Sequence, residues 1–346
     1  MKNFEYFNET ECNSRLFLRK NETKLGEKVQ YIRQNEIDVN QFLKETSAQY
    51  IIFGINEFIG VKANLGKAGE KHSWEVFLNT FLNIQHNKFL KGQQIAVLGC
   101  FNYKEFETEA LTLNPEVKDD LKRLREMVAE IDKDVVYLNT LIHQAGKKAI
   151  IIGGGHNNAY GNIKGLALAK ESAVNVVNFD AHTDFRPLEG RHSGNGFSYA
   201  FHEDFIDTYY IFGVHENYLN KFMLKRFKEQ QQRIKWFTFE ELKVRFEKDF
   251  ITAANNIHKA IKLKPYGIEI DVDAIENIAS SAMSPSGFSV TEARQFVSLM
   301  ANSTNASYLH ICEGSVSLGA FPENMVGKLF TYLVTDFIKA QMNANN

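Results

Sequence analysis

The chain of 346 residues carries only three cysteines, five prolines and two tryptophans, and its formal net charge is -2. Cys12, Cys100 and Cys312 stand far apart without CxxC spacing. That excludes a disulfide framework and a zinc finger, and it fits a reducing cytoplasm. There is no Pro-rich linker, low-complexity tract or internal repeat, so nothing divides the chain into two domains. A small negative charge without any five-residue basic run argues against nucleic acid or an anionic membrane as the main partner. No stretch approaches the roughly 18 consecutive apolar residues that span a bilayer. The opening residues, MKNFEYFNETEC, place no apolar segment behind a basic patch, so no signal peptide is expected. These observations fit a protein of the cytoplasm; the small-molecule partner expected of it follows from the site below.

What the chain does have is an alternation of short β-rich runs with longer helical periods. Candidate strands are 49–54 (QYIIFG), 94–98 (QIAVL), 149–152 (AIII), 174–180 (VNVVNFD) and 209–213 (YYIFG). Three more lie at 234–237 (IKWF), 266–271 (YGIEID) and 308–312 (YLHIC). Near-continuous apolar runs of this kind suit strands buried on both faces of a parallel sheet. Between them, Val117, Leu121, Leu124, Val128, Ile131, Val135, Leu138 and Ile142 recur at helical spacing until Gly146. A last helix is expected from about Asn324 into Ala340. Residues 49–346 therefore read as a single α/β domain, doubly wound, with about eight mainly parallel strands and helices on both faces. Residues 1–48 are more polar and lack a period, and read as an N-terminal extension packed on that domain.

In such a sheet, ligands bind beyond the carboxyl ends of the strands. Three predicted strand ends carry metal-competent side chains: Gly153-Gly154-Gly155-His156, Asp180-Ala181-His182-Thr183-Asp184, and Asp271-Val272-Asp273. In an extended chain Asp180, His182 and Asp184 would share a face at steps of roughly 7 Å. Burying such groups unpaired is costly, and cations would neutralise them. Two imidazoles and four carboxylates, with no thiolate placed among them, suit a pair of Mn2+-like ions rather than structural zinc. Two such ions about 3.5–4 Å apart can lower the pKa of a shared water toward neutrality, which makes a hydrolase nucleophile. The glycines form no nucleotide loop, because GGGHNNAYG contains neither GxGxxG nor GK[ST].

These motifs resemble those of the ureohydrolase superfamily of arginases, agmatinases and formimidoylglutamases, over nearly the whole chain after residue 50. The resemblance implies an arginase-like fold, a homo-oligomer and two Mn2+ ions per subunit. One ion would be held by His156, Asp180, Asp184 and Asp271. The other would take Asp180, His182, Asp271 and Asp273, with Asp180 and Asp271 bridging. The longer stretches GGGHNNAYGNIKGLALA, DAHTDFRPLEGRHSGNGFSYA and SAMSPSGFS are most similar to formimidoylglutamases, as is the early run Gly54-Ile55-Asn56-Glu57 through Gly60, Asn64, Gly66 and Gly69.

The activity that this resemblance implies is hydrolysis of N-formimidoyl-L-glutamate to L-glutamate and formamide, a step of histidine degradation. Asp184 would handle the transferred proton and Glu313 would face the amidine cation. Arg186, whose guanidinium fork can grip a carboxylate in bidentate fashion, and Asn195 would hold the amino-acid end. Three departures stand out. Neither Ser193 nor Phe197 is the proton-shuttling His of guanidine-hydrolysing relatives, although His192 is adjacent. Asn157 replaces a Glu common after GGGH, and GSVSLGAFPEN after Glu313 lacks the usual Asn-Pro. The alternatives are a guanidine hydrolase releasing urea and a metal-binding relative without turnover. A metallophosphoesterase also uses DxH, but no GNH-type motif accompanies it here.

Overall fold

Nine strands form one sheet in the computed structural model, which describes residues 1–32, 38–67, 73–318 and 323–344. They are β1 (Phe4–Tyr6), β2 (Tyr50–Asn56), β3 (Ile95–Asn102), β4 (Lys148–Ile152) and β5 (Val174–Phe179). The remainder are β6 (Ile206–Val214), β7 (Ile234–Thr238), β8 (Tyr266–Asp271) and β9 (Ala306–Cys312). The order across the sheet is β1-β3-β2-β4-β9-β8-β5-β6-β7. All neighbours pair in parallel except β1, which runs antiparallel along β3. The ninth strand thus comes from the polar first 48 residues, where three strand residues are too few to show a period. β3 also outruns its expected end: it continues through Gly99, where its pairing with β2 slips by one residue.

The sheet is buried on both faces because successive side chains of each strand feed different layers. Tyr50 and Ile52 of β2 join one core, with Phe77, Phe81, Ile257, Phe296 and Leu333 from four helices. Ile51, Phe53 and Ile55 join the other, against Leu124, Ile131, Val135 and Leu138 of the long helix Lys118–Gln144 and Leu166 of Ala159–Lys170. Each such side chain, fully buried, contributes about 1.5–3 kcal/mol. Val117 is the exception in the helical period: it precedes the first turn and is half exposed. Gly146, with φ of +73°, comes just after that helix, and the last helix runs Glu323–Ala344. Among the described residues no helix is long and apolar enough to cross a membrane.

The arrangement that matters for chemistry is central. β8 and β9 slot between β4 and β5, so the carboxyl ends of β4, β9, β8 and β5 lie side by side. Those are the ends that carry His156, Glu313, Asp271 with Asp273, and Asp180 with His182 and Asp184.

Candidate metal centre

The turn after β4 needs glycine. Gly153 and Gly154 adopt φ of +89° and +72°, and a Cβ on Gly154 would lie 2.5 Å from the Asn158 amide. Only a chain without side chains folds back this tightly, and it delivers His156 to the edge of β9. The fully buried His156 ring points Nδ1 at three carboxylates. Asp184 Oδ2 is 2.8 Å away, Asp180 Oδ2 3.3 Å and Asp271 Oδ2 3.4 Å. A second group sits beside it, with His182 Nδ1 2.9 Å from Asp273 Oδ2 and 3.6 Å from Asp180 Oδ1. Asp180 belongs to both groups.

The two strand-end aspartates use the same local device. Asp180 Oδ1 accepts the His182 backbone N–H at 2.6 Å, and Asp271 Oδ1 accepts that of Asp273 at 2.9 Å. Each ties down the residue two positions on and turns its Oδ2 toward His156. The expected period-two alternation does not bring the DAHTD residues together. β5 ends at Phe179, the chain turns at Asp180, and Asp184 takes a left-handed φ of +42°. Glu313, at the end of β9, is also left-handed, with φ of +61°. A non-glycine residue held there costs of order 1–3 kcal/mol, and such positions cluster at functional sites.

The donor set fits divalent ions. Carboxylates crowded this closely cannot all ionise by themselves. Burial, aided by Asp180, pushes Asp184 up to about 6, and burial with Asp273 and Asp180 holds Asp271 well above the usual range. Burial opposes charge on the histidines too, yet Asp273 and Asp180 hold His182 well above its ordinary value, and the carboxylates around His156 do the same for it. Protons thus stand where cations would take their place, and metal binding would release them. Among the described residues, His156 Nδ1 and Asp273 Oδ1 are buried without a hydrogen-bond partner, as ligand atoms facing an ion would be. Cys312 lies close to His156 and Asp271, but burial foremost holds its thiol well above the ordinary value, which leaves it a packing group.

A cleft of about 260 Å³ opens over this cluster, walled by His182, Asp184, Arg186, Ser193, Tyr218 and Glu313. Glu313 accepts the His156 N–H at 2.9 Å on one oxygen and the Ser281 hydroxyl at 2.9 Å on the other. Burial, foremost, and nearby Asp184 push it up to about 7. Arg186 reaches the cleft although the chain before it is not extended. Its side chain is about half exposed, with Nε 3.5 Å from Glu189.

Asn195 does not reach the cleft, contrary to expectation. It is fully buried, and its amide is spent on the loop: Oδ1 accepts from Arg191 and from the His192 N–H, and Nδ2 donates to the Gly190 and Pro187 carbonyls. His192 is likewise inside the loop, accepting the Gly194 N–H on Nδ1 at 3.1 Å. Burial, with Arg125 next in effect, pushes His192 down to about 3, which favours the neutral imidazole. Phe197 is buried edge-on against the His156 ring at 5.1 Å. Gly69 and residues 319–322, part of the stretch after Glu313, lie outside the described residues.

Several further residues support the cluster, and the sequence alone assigns them no part in it. Tyr218 stacks on the His182 ring at 4.6 Å, a packing visible only in three dimensions. Glu57, at the end of β2, accepts from Gly155 N, Asn158 Nδ2 and Gly60 N, each at 2.9 Å, and so clamps the glycine turn. The buried side-chain amide of Asn157, which replaces the Glu common after GGGH, makes no hydrogen bond among the described residues. Glu269 and His310, both fully buried beneath the cluster, have one visible sign: each is a polar residue between two apolar neighbours of its strand.

A family model described as the Arginase family matches residues 80–320. A formimidoylglutamase of Streptococcus gordonii is 36% identical over 111 residues, 30% of this chain and 32% of that protein. The match therefore spans about a third of that curated relative's length. The crystal structure of formimidoylglutamase from Bacillus subtilis superposes with a TM-score of 0.71 at 16% identity, covering 94% of each chain. A Trypanosoma cruzi formiminoglutamase crystallised with Mn2+2 gives 0.67 at 16% identity, over 92% of this chain and 99% of that one. At these identities the likeness to solved structures is one of fold.

Proposed function

The chain belongs to the arginase family, and on that premise we propose that it is a binuclear manganese hydrolase that cleaves N-formimidoyl-L-glutamate to L-glutamate and formamide. The observation that carries the reading is the cleft itself: two ligand groups sharing Asp180 on its floor, Glu313 beside them, and Arg186 on its wall. His156, Asp180, Asp184 and Asp271 would hold one ion, and His182 and Asp273, with Asp180 and Asp271, the other. Bound there, the ions would supply a water activated to a nucleophile near neutral pH.

The rest falls to the chain's own side chains. Glu313 offsets the cationic amidine and turns its carbon toward the floor of the cleft. Water adds to that carbon, the bond from carbon to the glutamate nitrogen breaks, and Asp184 passes a proton to the departing amine. Arg186 pairs with a substrate carboxylate. Asn64 and Ser193, whose side chains meet at 3.3 Å on the same wall, offer further polar contacts in place of Asn195. The names of the relatives support the substrate, and the Mn2+ of the Trypanosoma cruzi protein supports the metal. The proposal takes residues 49–346 as one catalytic domain carrying the 1–48 extension, in a cytoplasmic homo-oligomer.

The test is a product assay on Mn2+-loaded protein, with formimidoylglutamate, arginine, agmatine and guanidinobutyrate offered separately. Glutamate and formamide are expected from the first and no urea from the others. Urea with no formamide would sink the substrate assignment and leave a guanidine hydrolase, whose cation Glu313 would also suit. In the same assay Arg186→Ala raises KM about ten- to a hundredfold with kcat changed by little, since a hydrogen-bonded charge pair contributes about 1.5–3 kcal/mol. An unchanged KM would remove Arg186 from the substrate site.

A further inference from the structure

Beneath the ligand cluster lies a second polar layer that the proposed chemistry does not use. Glu269 sits in β8 two residues before Asp271, with neighbours Ile268 and Ile270 in the apolar core, and none of its surface is exposed. Its register partner in β9 is His310. His310 Nδ1 lies 2.5 Å from Glu269 Oε2, and its Nε2 3.1 Å from the Gly153 carbonyl. Oε1 of the same carboxylate accepts the Tyr308 hydroxyl at 2.8 Å and the Asn162 amide at 3.4 Å. Asn162 is itself held by Asn139 at 3.0 Å. Room for the tyrosine exists only because position 267 is glycine, where a Cβ would lie 2.0 Å from the Tyr308 ring.

The fourth group around this carboxylate is the metal-side histidine. His156 Nε2 is 3.6 Å from Glu269 Oε2, while Nδ1 on the opposite edge of the ring faces Asp180, Asp184 and Asp271. A buried carboxylate and imidazole are weak devices for stability, because well-packed apolar residues serve as well. A carboxylate behind a ligating histidine has a known physical use. It fixes which nitrogen bears the proton, orients the ring and raises the basicity of the nitrogen that binds the ion.

We infer that Glu269, held by His310 and Tyr308, is a positioning residue that directs His156 Nδ1 at the ion between Asp180, Asp184 and Asp271. It touches neither substrate nor metal. This rests on the proposed metal centre. Among the described residues His182 faces no such partner: its ring stacks on Tyr218 and its Nδ1 pairs with Asp273 and Asp180. The effect should therefore fall on one ion of the two.

The test is Mn2+ titration of the full chain, with bound metal counted by equilibrium dialysis and the spin-coupled two-ion signal followed by electron paramagnetic resonance. The native chain binds two ions. Glu269→Gln binds one with native affinity and the other about 10–100-fold more weakly, and the coupled signal gives way to that of isolated Mn2+. Two ions at native affinity in a folded Glu269→Gln protein would overturn the inference and leave the metal reading standing. If the native chain binds no Mn2+, both fall. Should Glu269→Gln fail to fold, Tyr308→Phe carries the decision, since it removes one hydrogen bond to the carboxylate and keeps its charge. A severalfold weakening of one ion supports the assignment, and unchanged affinity for both overturns it.

Discussion

Asp180→Ala is expected to lose both ions and to lower kcat/KM by at least about a thousandfold, or roughly 4 kcal/mol of transition-state stabilisation. Asp180 is the residue common to both ligand groups: one oxygen lies 3.3 Å from His156 and the other 3.6 Å from His182. Removing His156, Asp184, His182 or Asp273 strips one ion position first. The variant should still fold. Burial opposes its charge, yet His156 and His182 hold Asp180 well below the usual carboxylate range without ions, so its removal costs the metal-free protein some stability. The signature is a folded protein, somewhat less stable than native without metal, whose melting temperature no longer rises on adding Mn2+. Retention of two ions, with activity above a tenth of native, would show that the shared ligand is wrongly assigned.

Glu313→Gln should separate chemistry from metal binding. Its carboxylate accepts from the His156 N–H and the Ser281 hydroxyl and stands at the cleft wall. Glutamine keeps the shape and one acceptor but loses the charge that faces the amidine cation. Losing a preorganised charge of this kind costs about 10²–10³ in kcat/KM, with both Mn2+ ions retained. Activity within threefold of native would take Glu313 out of the substrate site, and loss of metal would make it a structural support of the His156 turn.

Much of this is legible in the sequence, for one physical reason. Strands buried on both faces must be almost wholly apolar, so polar residues at their ends stand out, and Asp180, His182, Asp184, Asp271 and Asp273 all do. The helical period from Leu124 to Ile142 is equally plain. Three residues of β1 pairing across some 95 positions leave no local trace. The backbone at Asp184 is hidden because a left-handed turn on an aspartate is imposed by tertiary contacts, not by residue preference. Arg186 and Asn195 look alike as loop residues in sequence. One turns to the cleft and the other inward, because the loop folds back until the Arg186 N–H bonds the Gly194 carbonyl at 3.0 Å.

The central placement of β8 and β9 bears on how the chain is made. During synthesis from the N-terminus, β1 to β4 can pair with one another, and β5 to β7 can do likewise. Each group is left with a bare apolar edge where the last two strands belong. An exposed edge of that kind is an invitation to wrong partners. The sheet closes, and the proposed ion ligands first face one another, only when residues 266–312 arrive and fill the gap. A nascent chain stalled before residue 266 would hold His156 and Asp180 with no strand between them, and would be a candidate for chaperone capture rather than for metal loading.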